Sequence, residues 1–393
     1  TMPIPRTLLI THYPVGTRNG STQQLKPILS RYQDKIVWYS TKPPITAVSP
    51  PVPYQHGRLL TRPSRRPFSH LRNYLNWFVY AYKLGFDAAR FGKANDVEVV
   101  WAGLSLEAVI AARVAAAIQR IPLAAYIPDD SPSLLKIDRN IPKWITRRFT
   151  AEFDQSMRAA KIIAVISDYM ADMYSVTYKK RCITLFLGVE STSRSLIASK
   201  NNSNELLIGS IGSIVSPENW NILLDAVKLL NSDNPLQRIK VLHIGGIRQS
   251  INSTEVEVTG WVEGDEFFQN LSRFDLGFLS LWFEPEYKTL AQTSLPTKIH
   301  SFITAQKPLI AFGPEYSSIV RFVNDHKCGI TCTQRDIASL AQAIDRLRLD
   351  SRRYLLYQNE FRSLMNKYSL ENYLSQFEHF LSLAIQGPIA LES

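Results

Sequence analysis

Apolar positions along the chain fall into short unbroken runs separated by longer stretches with apolar residues three and four apart. The runs lie at 7–11, 35–40, 97–102, 122–127, 161–166 and 182–187 in the first half. In the second half they lie at 206–212, 239–244, 256–259, 276–280 and 308–312. Each is too short for a helix, and most lack the alternation of a half-exposed strand, so they read as parallel strands buried on both faces. The intervening stretches at 21–32, 104–119, 139–158, 217–230, 315–325, 337–349, 351–367 and 370–384 carry helical spacing, and another helix opens at Ser167. Strands alternating with helices predict an α/β chain of doubly wound parallel sheets.

Two stretches break the alternation. Residues 42–68 carry Pro43, Pro44, Pro50, Pro51, Pro53, Pro63 and Pro67 with Arg58, Arg62, Arg65 and Arg66, which predicts a surface loop without ladder or helix. Residues 190–204 are rich in Ser, Thr and Asn with little to bury. At 393 residues the chain exceeds one ordinary core. The expected organisation is therefore a first domain at 1–190, a linker at 191–204, a second domain at 205–367 and a final helical segment at 368–393.

The most informative stretch runs from Phe274 to Phe312. A buried strand turns polar at Glu284; Ser294-Leu-Pro-Thr-Lys298 then opens a helix whose Ile299, Phe302 and Ile303 share a face, and a second strand ends at Gly313-Pro314. In a parallel sheet such a loop lies at the carboxyl edge, where ligands bind, and a helix start there favours phosphate. Gly209, Gly212, Gly245 and Gly246 are placed at strand ends, where backbone approaches a ligand closely. In the first half, His12 follows the first strand, with Asn19 and Gly20 in the loop beyond it. Asp129 and Asp130 follow the strand at 122–127, where a proton acceptor would stand. Adjacent extended side chains point opposite ways, so one of the two faces the edge; a helix cap is the other reading of Asp130.

The run SLPTKIHSFITAQKPLIAF resembles the donor-binding segment of GT-B glycosyltransferases. Ile183-Thr-Leu-Phe-Leu-Gly-Val-Glu190 resembles their inter-domain segment, and Ile211-Gly-Ser-Ile214 with Leu223-Leu-Asp-Ala226 resembles the first strand and helix of their donor domain. The nearest subgroup is the xanthan-type glucuronosyltransferases. The resemblance implies a GT-B fold, two Rossmann-like domains facing across a cleft, with the final helix crossing back to the first domain. It implies a nucleotide-diphosphate sugar as donor, no metal or other cofactor, and a glycan or lipid-linked acceptor. It selects Asp130 as the base of an inverting displacement, with His12 as the alternative. Lys298, with the Thr297 and Lys298 backbone, would hold the diphosphate. Gly212 and Ser213 would line the donor site, Glu284 and Glu286 would bind sugar or ribose hydroxyls, and Trp261 would pack on the base or in the core. Asn19 and Gly20 would form an acceptor-side loop.

The chain departs from the family wording where His300 and Ser301 replace an acidic residue, Gln306 replaces a glycine, and Ser213 and Glu218 replace the basic pair of retaining relatives. Those departures keep two rivals open, a non-catalytic scaffold and a nucleotide-sugar epimerase.

Charge narrows the partners. Forty-five Lys and Arg against 34 Asp and Glu give +11, which needs an anionic counterpart. No nucleic-acid module is present, so nucleic acid is not expected. A helix is expected over 68–91, and aromatic and basic residues interleave along it, where Tyr74, Phe78, Tyr82 and Phe86 accompany Arg72, Lys83 and Arg90, a pattern suited to an anionic membrane surface. No apolar run is long enough for a membrane span or a signal peptide, and Cys182, Cys328 and Cys332 have no metal-ligand spacing. The expected location is cytoplasmic, with membrane association on the cytoplasmic face as an option.

Overall fold

The computed structural model describes residues 4–14, 20–44, 50–59, 72, 74–103, 107–189, 205–233, 238–246 and 253–386. They form two compact units, one of Thr1–Phe186 with Glu371–Ser393, the other of Leu187–Leu370. The expected linker at 191–204, along with Asn19, Arg62, Arg65 and Arg66, lies outside the described residues.

The first unit holds a sheet of β1 (Thr7–Thr11), β2 (Ile36–Ser40), β3 (Tyr54–His56), β4 (Val99–Gly103), β5 (Leu123–Ile127), β6 (Ile162–Val165) and β7 (Cys182–Thr184). The order is β3-β2-β1-β4-β5-β6-β7 and every pairing is parallel. Its helices are α1 (Gly20–Arg31), α2 (Ala81–Ala94), α3 (Glu107–Gln119), α4 (Ser131–Ile137), α5 (Lys143–Ala159), α6 (Asp168–Tyr178) and, from the C-terminal end, most of the helix at Leu370–Gln386. Strands β1, β2, β4 and β5 are buried at every residue, which is why their sequences are unbroken apolar runs. The α2–α3 contact is close because Gly85 has no side chain: a Cβ there would stand 2.6 Å from Val114 Cβ. In the C-terminal helix, fully buried Phe377 packs against Trp101, with ring centroids 4.7 Å apart.

Two sequence expectations need correcting. The proline-rich segment does build ladder, because β3 adds to the edge of the sheet. Proline lacks a donor but keeps its carbonyl, and Pro53 O accepts from Trp38 N at 2.8 Å. The helix expected over 68–91 is not regular either. Asn76–Tyr80 winds as a π-helix before α2, with Asn76, Trp77 and Phe78 buried.

The second unit holds β8 (Glu205–Ile211), β9 (Arg238–Ile244), β10 (Val256–Gly260), β11 (Leu276–Ser280), β12 (Leu309–Phe312) and β13 (Gly329–Cys332), ordered β10-β9-β8-β11-β12-β13, again all parallel. Its longer helices are α7 (Pro217–Asp233), α8 (Gly264–Ser272), α11 (Ser318–His326), α12 (Ile337–Leu349) and α13 (Ser351–Lys367). Two short ones, α9 (Lys288–Thr293) and α10 (Ile299–Ala305), follow β11; the Leu370–Gln386 helix is α14. Gly209 lies inside β8 rather than at its end. It makes room for Phe274, whose ring a Cβ would meet at 2.2 Å.

Candidate functional site

In the first unit the carboxyl edges of β1, β2 and β4 bring four polar side chains together. Glu107 opens α3 and is fully buried. Its Oε1 lies 2.6 Å from His12 Nδ1 and accepts from Thr41 Oγ1 at 2.5 Å. On the other side of the imidazole, Lys42 Nζ stands 2.8 Å from His12 Nε2. A carboxylate can only accept, so His12 donates from Nδ1 and carries a lone pair on Nε2, where the Lys42 amine donates. Burial alone would raise the Glu107 carboxyl, but its contact with His12 and the hydrogen bonds from His12 and Thr41 hold it below its usual range. Burial lowers the Lys42 amine and nearby Arg72 adds to this, against the pull of Glu107.

Asp130 stands just past β5, and its carboxylate is engaged twice. Oδ2 accepts from Ser133 N at 3.0 Å, capping α4, and Oδ1 accepts from Tyr174 OH at 2.6 Å. Burial, followed by the Asp130 charge, pushes the Tyr174 phenol well up, so it stays a donor. The residue is 8% exposed, and the cap is the role its geometry shows. Gly20 begins α1.

In the second unit the carboxyl edges of β8, β9 and β10 form a turn cluster. Gly212 (φ 72°), Gly245 (φ 144°) and Gly260 (φ 73°) all sit in backbone regions that favour glycine. A Cβ on Gly212 would meet nothing within 4 Å, whereas one on Gly245 would lie 3.1 Å from Gly212 O. Lys298 reaches this turn, donating from Nζ to Ser213 O at 3.0 Å. Desolvation pushes its ammonium down to about 8. Beneath the turn lies fully buried His243, with Nδ1 3.2 Å from Ser210 Oγ and no partner for Nε2 among the described residues. Burial and then the charge of Lys298 depress it to about 4, so the ring is neutral at pH 7.

The Thr297 and Lys298 backbone, expected to hold phosphate, lies immediately before α10. The first turn is tight, and Ile299, His300 and Ser301 donate to Pro296, Thr297 and Lys298 carbonyls. The remaining residues behave differently from one another. Glu284 Oε1 pairs with Arg335 Nη2 at 2.7 Å, and Arg335 also donates to Asn219 Oδ1 at 3.2 Å. Glu286 is exposed in a 3₁₀ turn, Pro285–Tyr287. Trp261 is 59% exposed and donates to Glu263 Oε1 at 2.9 Å, which removes the core reading. His300 Nε2 lies 2.9 Å from Gly188 O, tying α10 to the strand-like segment at the start of the unit.

Glu107, Thr41, Lys42, His243 and Arg335 were not foreseen. Two left a trace in the sequence: a histidine within the otherwise apolar β9 run, and a glutamate opening an alanine-rich helix. The others are brought in by topology, β2 beside β1 for Thr41 and Lys42.

Comparison with known proteins separates what the two units show. Residues 205–350 match the family model of glycosyl transferases group 1. That span runs from β8 to the residue after α12 and lies wholly in the second unit. Solved structures match along nearly the whole chain. HepE of Anabaena, in complex with UDP and glucose, is 14% identical with a TM-score of 0.64, covering 96% of this chain and 99% of that one. α,α-Trehalose 6-phosphate synthase of Burkholderia multivorans is 10% identical at TM-score 0.67, covering 97% of each chain. A glycosyltransferase of Rickettsia africae is 14% identical at TM-score 0.62, covering 96% and 98%. Two all-parallel α/β units with these neighbours constitute the GT-B fold. No curated protein matches the sequence.

Proposed function

We propose that this chain transfers a sugar from a nucleotide-diphosphate sugar to a hydroxyl of a glycan or lipid-linked acceptor. The observation that carries the reading is the lysine poised at the glycine turn of the second unit, Lys298 Nζ on Ser213 O beside open space at Gly212. This turn lies within the span matched by the glycosyl transferase family. HepE, which shares the fold, is known with UDP-glucose, so UDP-sugars are the first donors to try.

In this mechanism the sugar–phosphate C–O bond breaks with its electrons going to the diphosphate, whose growing charge the Lys298 ammonium stabilises. No metal is needed for that charge, so transfer should survive a chelator. The acceptor oxygen forms the new bond to the anomeric carbon in a single displacement, which inverts it. Its proton goes to a base in the first unit. Both Asp130 and His12 are candidates, and His12 is the one we favour: the Nδ1–Glu107 bond makes Nε2 its basic nitrogen, while Asp130 already caps α4 and accepts from Tyr174. Glu107 would hold the tautomer and stabilise the imidazolium. Glu284, anchored by Arg335, and Glu286 are the proposed hydroxyl ligands, with Trp261 offering an exposed indole to the nucleobase.

A membrane-bound acceptor fits the first unit's surface. Leu134 and Trp144 are 43% and 56% exposed. Lys136, Arg139, Lys143 and Arg147, on the same two helices and the turn between them, are also exposed. Cytoplasmic location on an anionic leaflet is the matching proposal.

The test is a panel of UDP- and GDP-sugars assayed for binding, hydrolysis and transfer. Lys298→Ala should cost about a hundredfold or more in turnover, as loss of a transition-state donor does. His12→Ala should cost a similar factor, and Asp130→Asn chiefly stability. Equal losses from Asp130→Asn at unchanged stability would return the base role to Asp130. Binding of a donor without turnover would assign the scaffold reading, and conversion of the donor without acceptor the epimerase.

A further inference from the structure

The lysine on His12 has no place in the mechanism just described, and it stands in the way of it. His12 Nε2 is the lone pair that must receive a proton, yet Lys42 Nζ occupies it at 2.8 Å. An N–H already directed at that lone pair excludes an acceptor O–H from the same position. The base is therefore covered in the free protein.

We infer that the acceptor carries a phosphate group next to the reacting hydroxyl, and that Lys42 is a latch which this phosphate draws off His12. This rests on the transferase reading with His12 as base. The geometry selects an anion as the key. Lys42 follows the end of β2 on a polar turn beside Thr41, and its stem needs only rotation to move the amine away from the imidazole. Arg72 lies close enough to act on the Lys42 charge, so an anion between them meets two cations. The carboxylate acting on Lys42 is Glu107, which is fully buried and has one oxygen engaged. Glu107 is held by His12 and Thr41, and Asp129 acts on Tyr13, the residue after His12. A neutral acceptor would offer Lys42 nothing better than the imidazole nitrogen it already has. A phosphate offers an opposite charge and several strong acceptor oxygens, which the neutral imidazole nitrogen lacks. Unlatching and acceptor binding thus become one event, so the base is free only when its proper substrate is present.

The phosphate can come from a soluble compound or from a lipid headgroup, and the experiment separates the two. The protein is labelled with ¹⁵N-histidine, and the His12 Nε2 resonance, assigned by its loss in His12→Gln, reports the latch. Inorganic phosphate and dihexanoyl phosphatidic acid are titrated in parallel, with dihexanoyl phosphatidylcholine as the control lacking a terminal phosphate. Both phosphates should move the resonance, the natural source at the lower concentration. In Lys42→Met the resonance should begin near the released position and no longer respond. In Arg72→Met half-saturation should need at least five times more phosphate. Lys298→Ala removes the expected donor phosphate site, so its His12 response should match that of the unaltered chain. A resonance unmoved by either phosphate, or moved equally in Lys42→Met, overturns the latch. The transferase reading falls separately, if His12→Gln retains full transfer or Lys298→Ala retains full donor affinity.

Discussion

A lysine held near a pKa of 8 by desolvation is charged but not secure at neutral pH. The usual value is 10.5, and a bound diphosphate would restore it by supplying the counter-charge that burial removed. The sign follows directly. Below pH 8 the free protein already carries the ammonium, and affinity is full. Between about 8 and 10.5 binding must take up a proton, and affinity falls by up to about tenfold per pH unit. Calorimetric titration with UDP from pH 7 to 9.5 should therefore show a decline beginning near 8, accompanied by proton uptake. In Lys298→Arg the guanidinium stays charged throughout, so its affinity should be flat over the same range. Equal slopes for the two proteins would remove Lys298 from the nucleotide. His243 sharpens the point, because its neutral ring avoids placing a second cation under the first. Lys298 was legible in the sequence because Pro296 and the apolar face behind it fixed its place at a helix start. His243 was not, since nothing in a local pattern says which buried polar atom ends without a partner.

Secondary elements were read with more success where burial dictates the pattern. β1, β4, β5, β11 and β12 are unbroken apolar runs because helices cover both faces of each sheet, and the sequence alone predicts them. β3 was invisible, since its Tyr-Gln-His carries no such pattern and its register is set by Pro53 O and Ser40 O accepting across the strand. The π-helical turn was equally hidden, for one extra residue per turn leaves the apolar spacing almost unchanged. Gly209 was misread for a related reason: a glycine in a strand marks either a ligand or a close neighbour, and only the fold supplies Phe274. Gly209→Ala must displace that ring, whose atoms lie 2.2–2.4 Å from the new Cβ. Urea unfolding should show a loss of about 1–3 kcal/mol, the usual cost of overpacking. Adding Phe274→Leu should recover part of it, because the two changes share one volume. A neutral Gly209→Ala would mean that β8 and α8 yield more readily than the packing suggests.

At the scale of the molecule, charge is the property the sequence states most openly and localises least. A surplus of +11 says that something anionic is met, without saying where. The structure collects part of the surplus on α4, α5 and the turn between them. There Lys136, Arg139, Lys143 and Arg147 are exposed along with Trp144 and Leu134, and Arg148 lies 4.8 Å over the Phe78 ring. An indole in the open beside four cations is costly in water and favourable at a lipid headgroup layer, where each cation adds on the order of 1 kcal/mol. The patch should therefore bind vesicles containing anionic lipid and ignore vesicles of phosphatidylcholine alone. Co-sedimentation should weaken steeply between about 0.1 and 0.5 M salt as the screening length shortens. Trp144→Ala should lower binding at every salt concentration, because it removes an apolar contribution that salt does not screen. Arg147→Glu, by contrast, should reduce both the binding and its salt dependence. The two signatures distinguish a seated surface from diffuse attraction of a basic protein, since diffuse attraction would make Trp144→Ala silent.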